Sequence, residues 1–303
     1  MAGRFMLTFD CEGKWGCADS LSESDRRSLT DENLRHAYAS ILQLLDHHRV
    51  EATFAFSGAF SQSPSAFERL RPHLEEMSLW VPDYLGPALQ DIAQTKGDGW
   101  HGDQLVEATA KSRTAHEIAL HGVTHVPWTR LDRSFVQKEM ELFEMLEGPV
   151  KASRTFVYPR NQIAHEAVLA KQGFIGFRAA RAGRSRLASL LSEFNLSEEP
   201  EQSLPGNGII RIPAGFFLNW RSGPRRLVPA AVTCARARRL LRRAAATGGI
   251  VHYWLHPENI ATAPSTFELL GQLVQDVAAA RDAGDCQILT QLGYCRSHQD
   301  PGG

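Results

Sequence analysis

Four short polar clusters in this chain carry side chains able to do metal or acid–base chemistry. They are Asp10 and Glu12 in "TFDCEG", His121 and His125 in "HGVTH", Arg160 and Asn161 in "FVYPRN" and His256 in "HYWLHPEN". Two histidines four residues apart, entering a helix, can point the same way and give two imidazole ligands to one divalent ion. Such an ion needs a third ligand, usually a carboxylate, with one position left open for water. Asp10 and Glu12 are two apart, so on an extended segment both face one site while Cys11 turns to the core. One carboxylate can then hold the metal while the other accepts a proton. Glu12 is the preferred ligand; Cys11 as a thiolate is the alternative, since a lone buried cysteine usually behaves as a small hydrophobe. His256 reads as a general acid for an amine leaving group or as a capped core histidine, and His252 as the better core residue of the two. Arg160 either orients a carboxylate through a bidentate pair or lies in solvent. The "HEIAL" stretch fails the HExxH pattern because Leu120 stands in the second histidine position, so His116 and Glu117 read as an exposed strand edge.

The elements that must position these groups are legible as alternating apolar runs and amphipathic segments. Residues 5–9, 52–58, 117–122, 155–159, 173–179, 209–214, 250–256 and 287–289 read as buried strands. Helical spacing runs over 32–49 (Leu34, Ala37, Ile41, Leu44, Leu45) and 132–148, where Asp132 is a plausible N-cap and Gly148 a stop. Further helices are expected over 164–173 and 229–249, each ending at glycine. Repeated strand–helix alternation predicts parallel strands with helical crossovers, as a (β/α) barrel or a doubly wound sheet. Each polar cluster follows a strand, which is where parallel α/β folds build ligand sites. The stretch 78–112, with its Pro, Gly and two Trp, reads as an insertion that forms a lid or substrate wall. In the arginine-rich "CARARRLLRR", Arg236, Arg239 and Arg243 share a helix face, read as solvated opposite Ala237, Leu240, Leu241 and Ala244.

At 303 residues, 43% hydrophobic and 22% charged, the chain has material for one large α/β domain. A single domain over 1–295 with a disordered tail over 296–303 is expected. A net charge of −1 offers no global field for nucleic acid or an anionic membrane. Five cysteines without a CxxC pair argue against a disulfide framework and for a reducing cytoplasm. No leader-like segment and no run of 18 apolar residues is present, so no integral membrane segment is expected.

Taken in order, "TFDCEG", "HGVTH", "FVYPRN" and "WLH" resemble the motifs of the polysaccharide deacetylase superfamily, also called NodB-homology or carbohydrate esterase family 4, over roughly residues 5–290. The resemblance implies a distorted (β/α)7–8 barrel, a Zn²⁺ ion (or Co²⁺, Ni²⁺, Mn²⁺ or Fe²⁺) and hydrolytic removal of an N-acyl group from an amino sugar. Carried over, it makes Asp10 the base, His121 and His125 ligands, His256 the acid, and the backbone near Tyr158 an oxyanion donor. Here Cys11 stands where the usual motif has its second aspartate, so the Asp-x-Glu spacing resembles a subset acting on lipid-linked amino sugars and allantoin-like amides. Arg160 follows the proline instead of preceding it, and its pairing with Asp10 is an expectation of the resemblance. A small intracellular amino sugar, nucleotide-linked, lipid-linked or a natural product, is the expected substrate. A cyclic amide or ureide, N-deformylation, and a non-catalytic sugar-binding barrel are the alternatives.

Overall fold

The computed structural model describes residues 2–181, 194, 198–202 and 208–299. The strands are β1 (Gly3–Cys11), β2 (Thr53–Phe56), β3 (Glu117–Leu120), β4 (Thr155–Phe156), β5 (Gly176–Arg178), β6 (Ile210–Ile212), β7 (Phe216–Phe217), β8 (Ile250–Leu255) and β9 (Cys286–Ile288). They pair in parallel in the order β6-β5-β4-β3-β2-β1-β8-β7. One edge of β1 is shared: β9 lies beside its first residues and β2 beside its last. With helices packed outside, the sheet curls into a half-barrel, the expected distorted (β/α) barrel.

Side-chain alternation along β1 and β8 sets what the barrel holds. Phe5, Leu7, Phe9 and Cys11 of β1, with Val251, Tyr253 and Leu255 of β8, join the large core between sheet and helices. The alternate residues face inward. Met6 packs with Ile212, Ile250 and Tyr294. Thr8 bonds His252 Nε2 at 2.8 Å, and Asp10 lies one step nearer the strand end. His252 is fully buried, as expected of a core residue, and its Nδ1 bonds the Pro213 carbonyl oxygen at 2.7 Å.

Glu117 departs from the expected exposed edge. It is buried and accepts hydrogen bonds from Thr53, Thr155 and the Leu292 amide, because its inward register on β3 aims it at the barrel floor. The helix Gln291–Gln299 is seated there, with Tyr294 and Cys295 fully buried. That anchoring carries helix through 296–299, where a disordered tail was expected; residues 300–303 lie outside those described.

Helices Asp31–His48, Arg133–Met145, Glu166–Lys171 and Ala230–Thr247 match the sequence reading. Asp132 caps its helix by accepting from the Phe135 amide at 2.9 Å. In the arginine-rich helix, Ala237, Leu240, Leu241 and Ala244 are buried as expected. Arg236 is buried too, because Glu198 pairs with it. The two-residue strand β7 is too short to leave a periodic signal. The crossover from β2 to β3 carries helices Pro64–Ser78, Pro82–Thr95 and Asp103–Ala110, so the insertion is a helical layer. All five cysteines are free, and no helix among the described residues is long and apolar enough to cross a membrane.

Candidate active site

The β1 chain end divides its polar residues as the alternation requires. Cys11 is buried with its thiol directed at the Phe9 carbonyl, 3.5 Å away, on the core side. Glu12 follows with φ −135° and ψ −12°, ending the strand, and its carboxylate turns to the β3 loop. Glu12 Oε2 lies 2.6 Å from His125 Nε2 and 3.2 Å from His121 Nε2, and the two Nε2 atoms are 3.2 Å apart. Gly16 leaves the room this carboxylate needs: a Cβ there would lie 2.0 Å from Glu12 Oε1.

The His121–His125 segment is a loop, not the expected helix start. Gly122 and His125 both take left-handed backbone, with φ +67° and +61°. These two turns, in place of helical periodicity, bring the imidazoles to one side. Glu139 holds the loop from behind, accepting from the Thr124 amide at 2.9 Å, from the Thr124 hydroxyl and from Trp128 Nε1.

The donor set fits a divalent ion. His121 Nδ1 bonds the Val157 carbonyl at 2.8 Å and His125 Nδ1 bonds the Tyr84 hydroxyl at 2.9 Å. Each ring is thereby tied at Nδ1, and the Nε2 atoms are left facing the carboxylate. Tetrahedral zinc with ligands at about 2.0–2.1 Å needs donor atoms about 3.3 Å apart, close to the spacing of the two nitrogens. Among the described residues, Glu12, His121 and His125 are the one group of three such side chains with donor atoms within 4.8 Å of one another.

Asp10 is buried and paired bidentately with Arg178, at 2.7 and 2.6 Å. Arg178 comes from β5, is itself fully buried, lies 4.6 Å over the Trp254 ring, and also donates to Asn161 Oδ1 at 2.8 Å. Burial raises the Asp10 pKa, but the charge and hydrogen bond of Arg178, joined by His121 and His256, together outweigh it and hold it below its ordinary value. This corrects the expectation for Arg160, whose guanidinium bonds Asp19 at 2.6 Å and lies 5.4 Å over the Tyr84 ring. Arg160 and Asn161 both take left-handed backbone, φ +54° and +55°, a conformation costing about 1 kcal/mol or more per residue. The turn brings Asn161 to Arg178 and leaves Arg160 on the rim. The Tyr158 ring packs edge-on to Trp128, Phe156 and Phe177, so any part it has in the site is through its backbone.

His256 follows β8, with Nε2 3.5 Å from Glu12 Oε1. Asn259 Oδ1 lies 3.2 Å from its Nδ1 and accepts from its amide at 3.1 Å. Burial lowers the His256 pKa, but the charges of Glu12, Asp10 and Glu258 and the Asn259 hydrogen bond together outweigh it and the pKa is raised. In the same turn, Glu258 Oε1 accepts from the Glu12 and Gly13 amides at 3.1 and 2.6 Å. Burial first, then the Glu12 charge, push Glu258 up to about 7.

Three of the four strand-end clusters therefore converge as read. Arg178, Glu258, Asn259 and Tyr84 complete the site without having been assigned to it from sequence, and Asn161, read with Arg160 in the fourth cluster, enters it through Arg178. An arginine inside the apolar run "GFIGFRA" is the one signal that could have been followed, since a buried arginine must find an anion. Tyr84, in the insertion, had none.

No family model matches the sequence, and no curated protein matches it. Solved structures do. A candidate polysaccharide deacetylase from Mycobacterium smegmatis superposes with a TM-score of 0.63 at 16% identity, covering 99% of this chain and 92% of that one. A family 4 carbohydrate esterase from Streptomyces lividans gives 0.44 at 14% identity, covering 91% and 88%. A peptidoglycan deacetylase from Bacillus subtilis gives 0.45 at 12% identity, covering 99% and 94%. The chain shares its fold with the Mycobacterium smegmatis protein.

Proposed function

We propose that this chain is a metal-dependent amide hydrolase that removes an N-acyl group, most simply acetyl, from a small amino-sugar substrate. The observation that carries the reading is three ligand side chains facing one another, with an ionised carboxylate and a histidine in electrostatic reach. Glu12, His121 and His125 face one another, the Arg178-bound Asp10 lies beside them, and His256 reaches within 3.5 Å of Glu12. Glu12, His121 and His125 would hold the ion, which when bound polarises the amide carbonyl and acidifies a water.

The remaining steps belong to the side chains. Asp10, kept ionised by Arg178, takes the proton of the attacking water as its oxygen bonds the carbonyl carbon. The Arg178 fork and Asn161 hold that carboxylate in one orientation throughout. The Tyr158 amide N–H, just after β4, is the proposed donor to the developing oxyanion, since the Val157 N–H is spent on the Leu120 carbonyl and Pro159 has none. His256, whose proton is favoured by Glu12 and Asp10, donates to the nitrogen as the C–N bond breaks. A carboxylic acid and a free amine are released. Trp254 and Phe217, whose rings lie 5.8 and 6.1 Å from His256, offer aromatic faces for a sugar ring beside the acid.

The test is release of acetate and amine from a panel of N-acyl amino sugars, free and nucleotide-linked, by zinc-loaded protein. Asp10→Asn should abolish turnover with zinc retained, and Glu12→Ala should lose the zinc. Turnover of cyclic ureides with none of the sugars would overturn the substrate assignment.

A further inference from the structure

We infer that Tyr84, from the inserted helix Pro82–Thr95, is a positioning residue that fixes the tautomer of His125 and ties it to the loop carrying Glu12. The inference rests on the metal site of the proposed function and adds to it a part for the insertion. Tyr84 is buried, with its hydroxyl 2.9 Å from His125 Nδ1 and 3.3 Å from the Trp15 carbonyl oxygen. The Trp15 carbonyl only accepts, so it can take the Tyr84 O–H, and the hydroxyl oxygen is then free to accept from His125 Nδ1–H. With an ion between Glu12 and the two rings, that arrangement presents the His125 Nε2 lone pair to it.

The two ligand histidines are held differently. His121 Nδ1 bonds the Val157 backbone oxygen, a partner present whatever the side chains are. His125 depends on one phenol from another segment of the chain. That phenol is in turn clamped: Arg160 lies 5.4 Å over its ring and is anchored by Asp19 at 2.6 Å. Trp15 belongs to the 3-10 turn directly after Glu12, so the relay His125–Tyr84–Trp15 joins the β3 loop to the β1 loop. Two ligands that follow separate strands are thereby kept in register by a residue that touches no reacting atom.

Tyr84→Phe keeps the ring and removes the hydroxyl. Apoprotein of both forms is titrated with zinc against a chelator of known affinity, and the His125 ring nitrogens are assigned from long-range ¹H–¹⁵N spectra of the zinc-loaded wild type. The expected result is Nδ1–H on His125 in the wild type and a zinc affinity roughly 10- to 100-fold weaker in Tyr84→Phe. The zinc-free melting temperature should stay within a few degrees. Equal zinc affinities, or a zinc-loaded His125 protonated at Nε2 and bound through Nδ1, would overturn the role of Tyr84 and leave the metal site standing. Failure of the wild type to bind one zinc would overturn both. The tautomer measurement decides the matter even if the variant does not fold.

Discussion

Replacing Arg178 with glutamine should destabilise the protein far more than the same change at Arg160. Arg178 and Asp10 have side-chain exposures of 0% and 2% and share two short hydrogen bonds. Arg160 and Asp19 are 30% and 19% exposed. Breaking a buried pair by removing one partner costs about 3–5 kcal/mol, because the remaining charge is stranded. A solvent-facing pair contributes about 0–1 kcal/mol. With unfolding entropy near 2.1 cal/mol/K per residue, a chain of this size shifts by about 1.6 °C per kcal/mol, so Arg178→Gln should lower Tm by roughly 5–8 °C. Arg160→Gln should lower it by about 2 °C at most. The stability from Asp10 also has a definite pH sign. Its folded pKa is depressed, so the contribution is present above the ordinary 3.8 and is lost as pH falls through the folded value. Arg178→Gln should flatten that acid limb. Thermal melts of the zinc-free protein at several pH values measure both effects. Equal losses for the two variants, or an unchanged acid limb, would refute the assignment of Arg178 as the partner of Asp10.

Two other outcomes follow from the same site. Gly16→Ala places a methyl where Glu12 Oε1 now lies and should weaken zinc binding by on the order of tenfold or more, measured by chelator competition. In zinc-free protein His256 should titrate above its ordinary 6.5, and Glu12→Gln should bring it down, as followed by NMR. A raised histidine pKa stabilises the fold fully below about pH 6.5, and that contribution fades as pH rises through the folded value.

How much was readable in advance depended on whether the signal was local. Strand alternation placed Asp10 and Glu12 on one side and Cys11 on the other, because a two-residue period needs no knowledge of the partner strands. The eight apolar runs located eight strands for the same reason. The HGVTH pair was read correctly as convergent but on the wrong geometry, since left-handed turns at Gly122 and His125 do what helical spacing was expected to do. Arg160 failed because chain order carries no angle: with φ +54° its side chain leaves for the rim, and the anion of Asp10 is met from a strand further on. Tyr84 and Glu258 each act through two hydrogen bonds across long sequence separations, which no period or motif encodes.

The claim on which the rest depends is that Glu12, His121 and His125 hold the ion while Cys11 stays in the core. X-ray absorption of the zinc-loaded protein tests it directly, because Zn–S distances near 2.3 Å separate cleanly from Zn–N and Zn–O distances of about 2.0–2.2 Å. The expected spectrum holds nitrogen and oxygen scatterers only, with two imidazoles, and is unchanged in Cys11→Ala. A sulfur shell that disappears in Cys11→Ala would contradict the account.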